Sequence, residues 1–177
     1  MKRSRLIALS AISSAFSIIF LTAGVFLSVF DYSAIFMASL CTMLPLAKKS
    51  WKGGFFTYLG TLGLALIFFV GVRPEIVLTY GIFFGLHPTV NFIFKERNFN
   101  KIIGLVIKAV WFVGSVLLVF WLFSGFLFEE SLLSNEIFKR YAYLIISVVG
   151  AVLFVVYDFL MIRFQGMIDK TIEKLKL

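Results

Sequence analysis

The sequence has very few of the residues from which enzymes usually build reactive sites. Cys41 is the only cysteine and His87 the only histidine in a chain of 177 residues. A lone cysteine excludes an intramolecular disulfide and a cysteine metal cluster. No P-loop, HExxH, GxSxG or CxxC motif occurs, so the chain has no recognisable means of hydrolysing ATP unaided. We therefore expect no enzymatic activity, no bound metal and no cofactor.

Charged residues are also scarce, at 15% of the chain against 61% hydrophobic and 18% aromatic residues. A soluble domain of this length does not need so much apolar surface. Apolar segments of about 20 residues recur along the whole chain, which is typical of helices embedded in lipid. We predict an all-α integral membrane protein, a bundle of six transmembrane helices in one domain over residues 1–177. The expected spans are about 6–30, 32–47, 54–71, 76–94, 102–127 and 141–163.

The connections between these spans are short. Little more than Asp31 separates the first two spans, so residues 24–32 either are helical or form a lid loop. The start of the chain resembles a secretion signal, but its apolar stretch is too long and no convincing cleavage site follows. We expect a retained first helix. After the last span, residues 164–177 are expected to form an amphipathic cytoplasmic tail with Met167, Ile168, Ile172 and Leu175 on its apolar face.

Basic residues alternate between the two ends of the expected spans. One side collects thirteen, namely Lys2, Arg3, Arg5, Lys48, Lys49, Lys52, Lys95, Arg97, Lys101, Arg163, Lys170, Lys174 and Lys176. The opposite side collects three, namely Arg73, Lys139 and Arg140. Because Lys and Arg favour the cytoplasmic side of a membrane, we expect both termini in the cytoplasm. The same bias explains the net charge of +8, so the expected partner of the basic residues is the lipid bilayer and not nucleic acid.

Small residues form two patterns that favour close helix packing. Ser4, Ala8, Ala11 and Ala15 recur at spacings of four, three and four residues, which places them on one face of the first helix. In the fourth span, "GIFFG" from Gly81 forms a GxxxG motif. Each pattern indicates either a surface for another protein or ordinary packing inside the bundle.

The alanine pattern also carries a resemblance to a family. The segment "RLIALSAISSAFS", with Ala11 and Ala15 in its "AISSA", resembles the substrate-binding S components of the energy-coupling factor (ECF) vitamin transporters, as does the six-span layout. The resemblance implies a bacterial cell membrane protein that takes up a vitamin-like micronutrient. It also implies that the alanine stripe docks onto a transmembrane coupling subunit driven by two ATPase subunits. The ligand would lie near the outer surface, under the loop after the first helix. That loop, "GVFLSVFDYS", matches no vitamin-specific signature, so the ligand stays open.

Aromatic and polar residues gather at the expected outer ends of the spans. Together they could stack a flat ring and hold a polar group of a small-molecule ligand. The alternative is that they form an interfacial aromatic belt with solvated loop charges. The expected ligand-contacting residues are Phe30, Asp31, Tyr32, Arg73, Glu75, Tyr80, Trp121, Asn135, Lys139, Tyr141 and Tyr143.

Four polar residues lie deep within the expected spans. His87 and Asn91 share a helix face, and Pro88 between them should kink that helix because it lacks a backbone donor. Lys108 and Asp158 fall about 7–11 Å from the cytoplasmic ends of their spans, at about 1.5 Å per residue. Embedded charges usually face the bundle interior and pair, so one hypothesis is a Lys108–Asp158 pair with His87 and Asn91 close by. The other is that Lys108 extends to the interface and His87 makes a single packing hydrogen bond.

Two further functions fit the same sequence. One is a non-catalytic membrane scaffold, similar in layout to the bacterial rod-shape membrane subunit. The other is an autonomous small carrier that uses His87, Lys108 and Asp158. Partners that copurify with the protein, and uptake by the protein alone, would separate these functions from the transporter subunit.

Overall fold

The computed structural model describes residues 3–127 and 136–174, and all regular elements in these ranges are helical. The α-helices are α1 (Arg3–Phe26), α2 (Asp31–Cys41), α3 (Met43–Ala47), α4 (Trp51–Phe69), α5 (Pro74–Thr79), α6 (His87–Glu96), α7 (Lys101–Leu127) and α8 (Glu136–Lys174). A 3₁₀ turn, Ser28–Phe30, precedes α2, and a π-helical segment, Tyr80–Phe84, lies between α5 and α6.

Five of these segments are long and apolar enough to cross a membrane, namely Arg3–Phe26, Trp51–Phe69, Pro74–Glu96, Lys101–Ser124 and Arg140–Lys174. The expected second span corresponds to Asp31–Ala47, which is apolar but shorter than the others. The six expected helical segments are therefore present in the described chain, and five of them have the length and composition of membrane spans.

Local sequence signals set several helix boundaries. The Ser50 side chain accepts a hydrogen bond from the backbone N–H of Gly53, which caps the start of α4. At the start of α7 the Asn100 side chain accepts from the backbone N–H of Ile102 at 2.9 Å. Lys49 and Asn98 adopt left-handed conformations just after α3 and α6, and this is a common way for a helix to end.

Two expected boundaries change in the structure. The possible lid loop over residues 24–32 is reduced to residues 27–30, because α1 continues through Phe26 and α2 begins at Asp31. The last helix begins before the expected residue 141 and passes without a break through residue 163 to Lys174. The expected tail is therefore a continuation of α8 as far as it is described. No proline interrupts this stretch, so every residue in it has the backbone N–H that a continuing helix needs.

The chain divides into two compact units. The first comprises Met1–Phe99 and Phe159–Leu177, and the second comprises Asn100–Asp158. The buried core of the first unit consists of Leu21, Val25, Ile35, Ala38, Tyr58, Ala65, Phe69, Ile76, Val77 and Tyr80. In the second unit, Phe112 of α7 packs its ring against Phe154 and Tyr157 of α8, with ring centroids 5.5 and 6.5 Å apart.

Helices α1 and α4 meet through small polar residues. Ser10 donates a hydrogen bond to the backbone carbonyl of Gly53 at 3.1 Å, and Ser14 donates to that of Thr57 at 3.0 Å. A Cβ atom on Gly60 would lie only 2.7 Å from the Ser14 hydroxyl oxygen. Small side chains thus allow close backbone approach while the hydroxyls find acceptors, as is common between helices in lipid.

The GxxxG motif also belongs to packing inside the first unit. The backbone N–H of Gly85 bonds to the carbonyl of Tyr80, five residues earlier, which leaves the carbonyl of Gly81 for another donor. The Tyr58 hydroxyl donates to that carbonyl at 2.9 Å. A Cβ on Gly85 would lie 2.7 Å from the Tyr58 ring. The helix is thus interrupted just before Pro88, as the sequence predicts, and α4 satisfies a carbonyl that the interruption exposes.

Candidate functional site

The first candidate surface is the face of α1 formed by Ala8, Ala11 and Ala15, which we call the alanine face. All three residues are exposed, and so is Ser4 one turn before them. The neighbouring side chains of Ile7 and Ile12 are also more than half exposed. Among the described residues of the first unit, none covers this face.

The opposite side of α1 explains this orientation. Its buried residues include Ser10, Ser13, Ser14 and Ser17, and three of these serines donate hydrogen bonds to α2 or α4. Ser17 donates to the backbone carbonyl of Ala38 in α2 at 2.9 Å. Because the serines hold one side of the helix against its neighbours, the alanine face is left pointing outward. The sequence interpretation missed this serine stripe, although spacings of three, one and three residues are a detectable helical signal.

The second candidate surface is an ion cluster that joins the turn before α2 to the start of α5. The Arg73 guanidinium donates to Asp31 at 2.5 Å and also to Glu75. Arg73 and Asp31 are 42 residues apart in sequence, so the pair ties two separate turns together. The hydrogen bond that Arg73 donates to Glu75 raises the pKa of Arg73, desolvation opposes that rise, and Asp31 adds to it. The three side chains remain partly accessible, with 17–25% of their surface exposed.

Two exposed aromatic residues flank Asp31 in the sequence. Phe30 and Tyr32, on either side of Asp31, are 54% and 78% exposed. Tyr80, which the sequence places in the same ligand site, is instead completely buried and stacks with Tyr58 at a centroid distance of 6.3 Å. The first unit therefore brings together Asp31, Arg73 and Glu75, while Phe30 and Tyr32 are neighbours of Asp31 in the chain and Tyr80 lies in the core.

The remaining expected ligand-contacting residues belong to the second unit. Trp121 and Tyr141 are exposed, and Tyr143 is half exposed with its ring edge against Phe120, at a centroid distance of 5.5 Å. Asn135 and the side chain of Lys139 lie outside the described residues. A shared ligand site formed with the residues of the first unit stays a prediction.

The third candidate site is a buried ion pair within the second unit. Lys108 Nζ lies 2.6 Å from Asp158 Oδ1, and the two residues are 5% and 4% exposed. The pairing hypothesis is confirmed, and Lys108 does not extend to the surface. Phe112 lies one helical turn after Lys108, and its ring packs against that of Tyr157, which precedes Asp158.

His87 and Asn91 belong to the first unit. His87 is fully buried at the start of α6, and its ring packs against that of Phe83 at a centroid distance of 4.9 Å. Asn91 is half-buried one turn further along. A single cluster of these two residues with Lys108 and Asp158 stays a prediction.

Among the described residues, no group of three or more His, Cys, Asp and Glu side chains has an arrangement that could hold a metal ion. Asp31 and Glu75 both contact Arg73. Comparison of the chain with protein-family models, with curated proteins and with solved structures finds no match.

Proposed function

We propose that the chain is a multi-pass protein of the bacterial cell membrane, with both termini in the cytoplasm, that works as the substrate-binding subunit of an ATP-driven micronutrient transporter. Five helices of membrane-spanning length and composition support the membrane location. The thirteen basic residues at one set of helix ends support the orientation.

The observation that carries the proposal is the outward orientation of the alanine face. In lipid no hydrophobic force drives helices together, so a helix pair gains from the close contact that small side chains permit. The serine stripe already satisfies the packing of α1 within its own unit. The alanine face is therefore available to a helix of another protein, the transmembrane coupling subunit of the proposed complex.

The ion cluster of Arg73 is the proposed outer end of the subunit. It holds the turn at residues 27–30 against the turn before α5, close to the exposed rings of Phe30 and Tyr32. A small molecule with a flat ring and a polar group would find complementary chemistry at this end. Extraction of the purified protein should release such a molecule, and a panel of vitamins should change its Trp fluorescence. A protein that releases nothing and gives no fluorescence response has no such ligand.

Purification of the tagged chain from its native membrane tests the proposal. We expect a membrane coupling subunit and two ATPase subunits to copurify, because the chain has no P-loop of its own. Cytoskeletal or wall-synthesis proteins in their place would support the scaffold function and contradict the transporter subunit.

The buried Lys108–Asp158 pair favours a second candidate, the autonomous carrier. Charged residues buried within membrane helices are rare and often mark the path of an ion or a substrate. Uptake of solute by liposomes that contain only this protein, together with its loss in Asp158→Asn, would support the carrier. Under the transporter-subunit proposal the pair is structural and liposomes without the partner subunits take up nothing.

A further inference from the structure

A cavity of about 530 Å³ opens in the first unit where the ends of three helices meet. It lies at the carboxyl ends of α3 and α6 and beside the last turns of α8. Its apolar lining consists of Leu46, Ala47, Phe92 and Ile172. Its charged lining consists of Lys48, Lys49, Lys95, Glu96, Asp169 and Glu173. The volume falls in the usual range of small-molecule sites, about 300–1,000 Å³.

The cavity is lined by equal numbers of positive and negative side chains, and most of them do not pair with one another. Its lining contains three lysines and three carboxylates. Lys95 Nζ lies 3.7 Å from Asp169 Oδ2, a long ion-pair distance, and the Lys95 side chain is 72% exposed. None of Lys48, Lys49, Glu96 and Glu173 forms an ion pair with another described residue. A ligand that carries both a positive and a negative group could therefore engage side chains of both signs.

The position of the cavity along the helices indicates which part of the membrane could supply such a ligand. Lys48 and Lys49 follow the apolar α3, and Lys95 and Glu96 end the apolar Pro74–Glu96 segment. Under the membrane location proposed above, the cavity lies at the level of the cytoplasmic lipid headgroups. The inference rests on that part of the proposed function and not on the docking of a partner.

We propose that this cavity binds the headgroup of phosphatidylethanolamine. The phosphate would contact the lysines, and the primary ammonium would donate hydrogen bonds to the carboxylates. The apolar lining would face the glycerol and the first acyl carbons. Phosphatidylcholine carries the same charges, but its methylated ammonium has no N–H to donate. Phosphatidylglycerol has no cation for the three carboxylates.

Native mass spectrometry of the purified chain in detergent, titrated with the dioctanoyl forms of the three lipids, tests this assignment. We expect phosphatidylethanolamine to bind with a Kd roughly tenfold lower than phosphatidylcholine, the equivalent of one charge-assisted hydrogen bond. Glu96→Gln with Glu173→Gln should remove that difference. Lys48→Gln with Lys49→Gln should weaken the binding of both lipids. Lys101 is exposed and lies outside the cavity, so Lys101→Gln should change the affinity for neither lipid.

Several results would overturn the assignment. Equal or tighter binding of phosphatidylglycerol would indicate a site for anionic headgroups. Free phosphoethanolamine that competes as well as the lipid would indicate a soluble zwitterion. Equal affinities for all three lipids in the unmodified chain would exclude headgroup recognition without any mutant.

Copurification of partners, measured on the same preparations, distinguishes a failure of the lipid site from a failure of the transporter-subunit proposal. A chain that retains its partners but shows no lipid preference contradicts only the headgroup site, and a chain with the preference but without partners contradicts only the transporter subunit.

Discussion

Removal of one member of the buried Lys108–Asp158 pair should destabilise the protein strongly. At the observed separation of 2.6 Å, two unit charges attract by about 6 kcal/mol if the effective dielectric constant is about 20. Burial of the two groups costs several kcal/mol each, so the net contribution of the intact pair is small. Lys108→Met leaves the Asp158 carboxylate buried without its lysine, and we expect a loss of about 3–5 kcal/mol in the free energy of unfolding.

A double-mutant cycle measures this coupling. The single variants Lys108→Met and Asp158→Leu each remove one member of the ion pair and leave the other charge buried, whereas the double variant replaces both charges with apolar groups. We therefore expect the double variant to recover most of the stability lost in either single variant. Lys101→Met is the matched control, because Lys101 begins the same helix and is exposed. Reversible unfolding in mixed detergent micelles, followed by circular dichroism, supplies the free energies.

Additive losses in the two single variants and the double variant would refute the reasoning. They would mean that the two charges do not interact in the folded protein. A loss in the Lys101→Met control as large as that in Lys108→Met would also refute it, since the effect would then come from the removal of any lysine in α7.

Two further predictions concern packing and the outer ion cluster. Gly85→Ala should lower the free energy of unfolding by about 1–3 kcal/mol, because its Cβ would press on the Tyr58 ring at 2.7 Å. Gly81→Ala should cost less, since the Leu62 side chain that it meets can move, and equal melting temperatures of the two variants would contradict this account. Arg73→Gln should cost about 0–1 kcal/mol, because the side chain is 25% exposed and water screens its ion pairs. Its effect should shrink in 1 M salt, and a loss that is independent of salt would contradict an electrostatic role.

Hydrophobic patterning was enough to predict the helical segments. The presence of Pro88 was enough to predict an interruption of its helix. Segment length and composition carry that information directly, and a proline removes a donor wherever it stands in a helix. The Lys108–Asp158 pair followed from a general rule, because two opposite charges at similar depth in lipid have few other ways to be satisfied.

The features that the sequence did not reveal depend on contacts between distant segments. The bridge from Arg73 to Asp31 joins residues 42 positions apart, and the hydroxyl of Tyr58 reaches a carbonyl 23 positions away. Tyr80 was assigned to a ligand site by its place near a helix end, but the π-helical segment turns it into the core. The continuation of α8 beyond residue 163 could not be predicted from hydropathy, since polar residues end an apolar span without ending its helix.

Copurification of Ala11→Trp with the native partners tests most directly whether the alanine face is a docking surface. An indole at this exposed position should hold a neighbouring helix off by several ångströms, while the serine stripe keeps the fold intact. Phe16→Trp is the control, because Phe16 is a large side chain that is exposed on another side of the same helix. We expect Ala11→Trp to fold and extract normally but to lose the coupling subunit, and Phe16→Trp to retain it. An Ala11→Trp protein that keeps its partners, or one that misfolds with or without them, would contradict the proposed docking face.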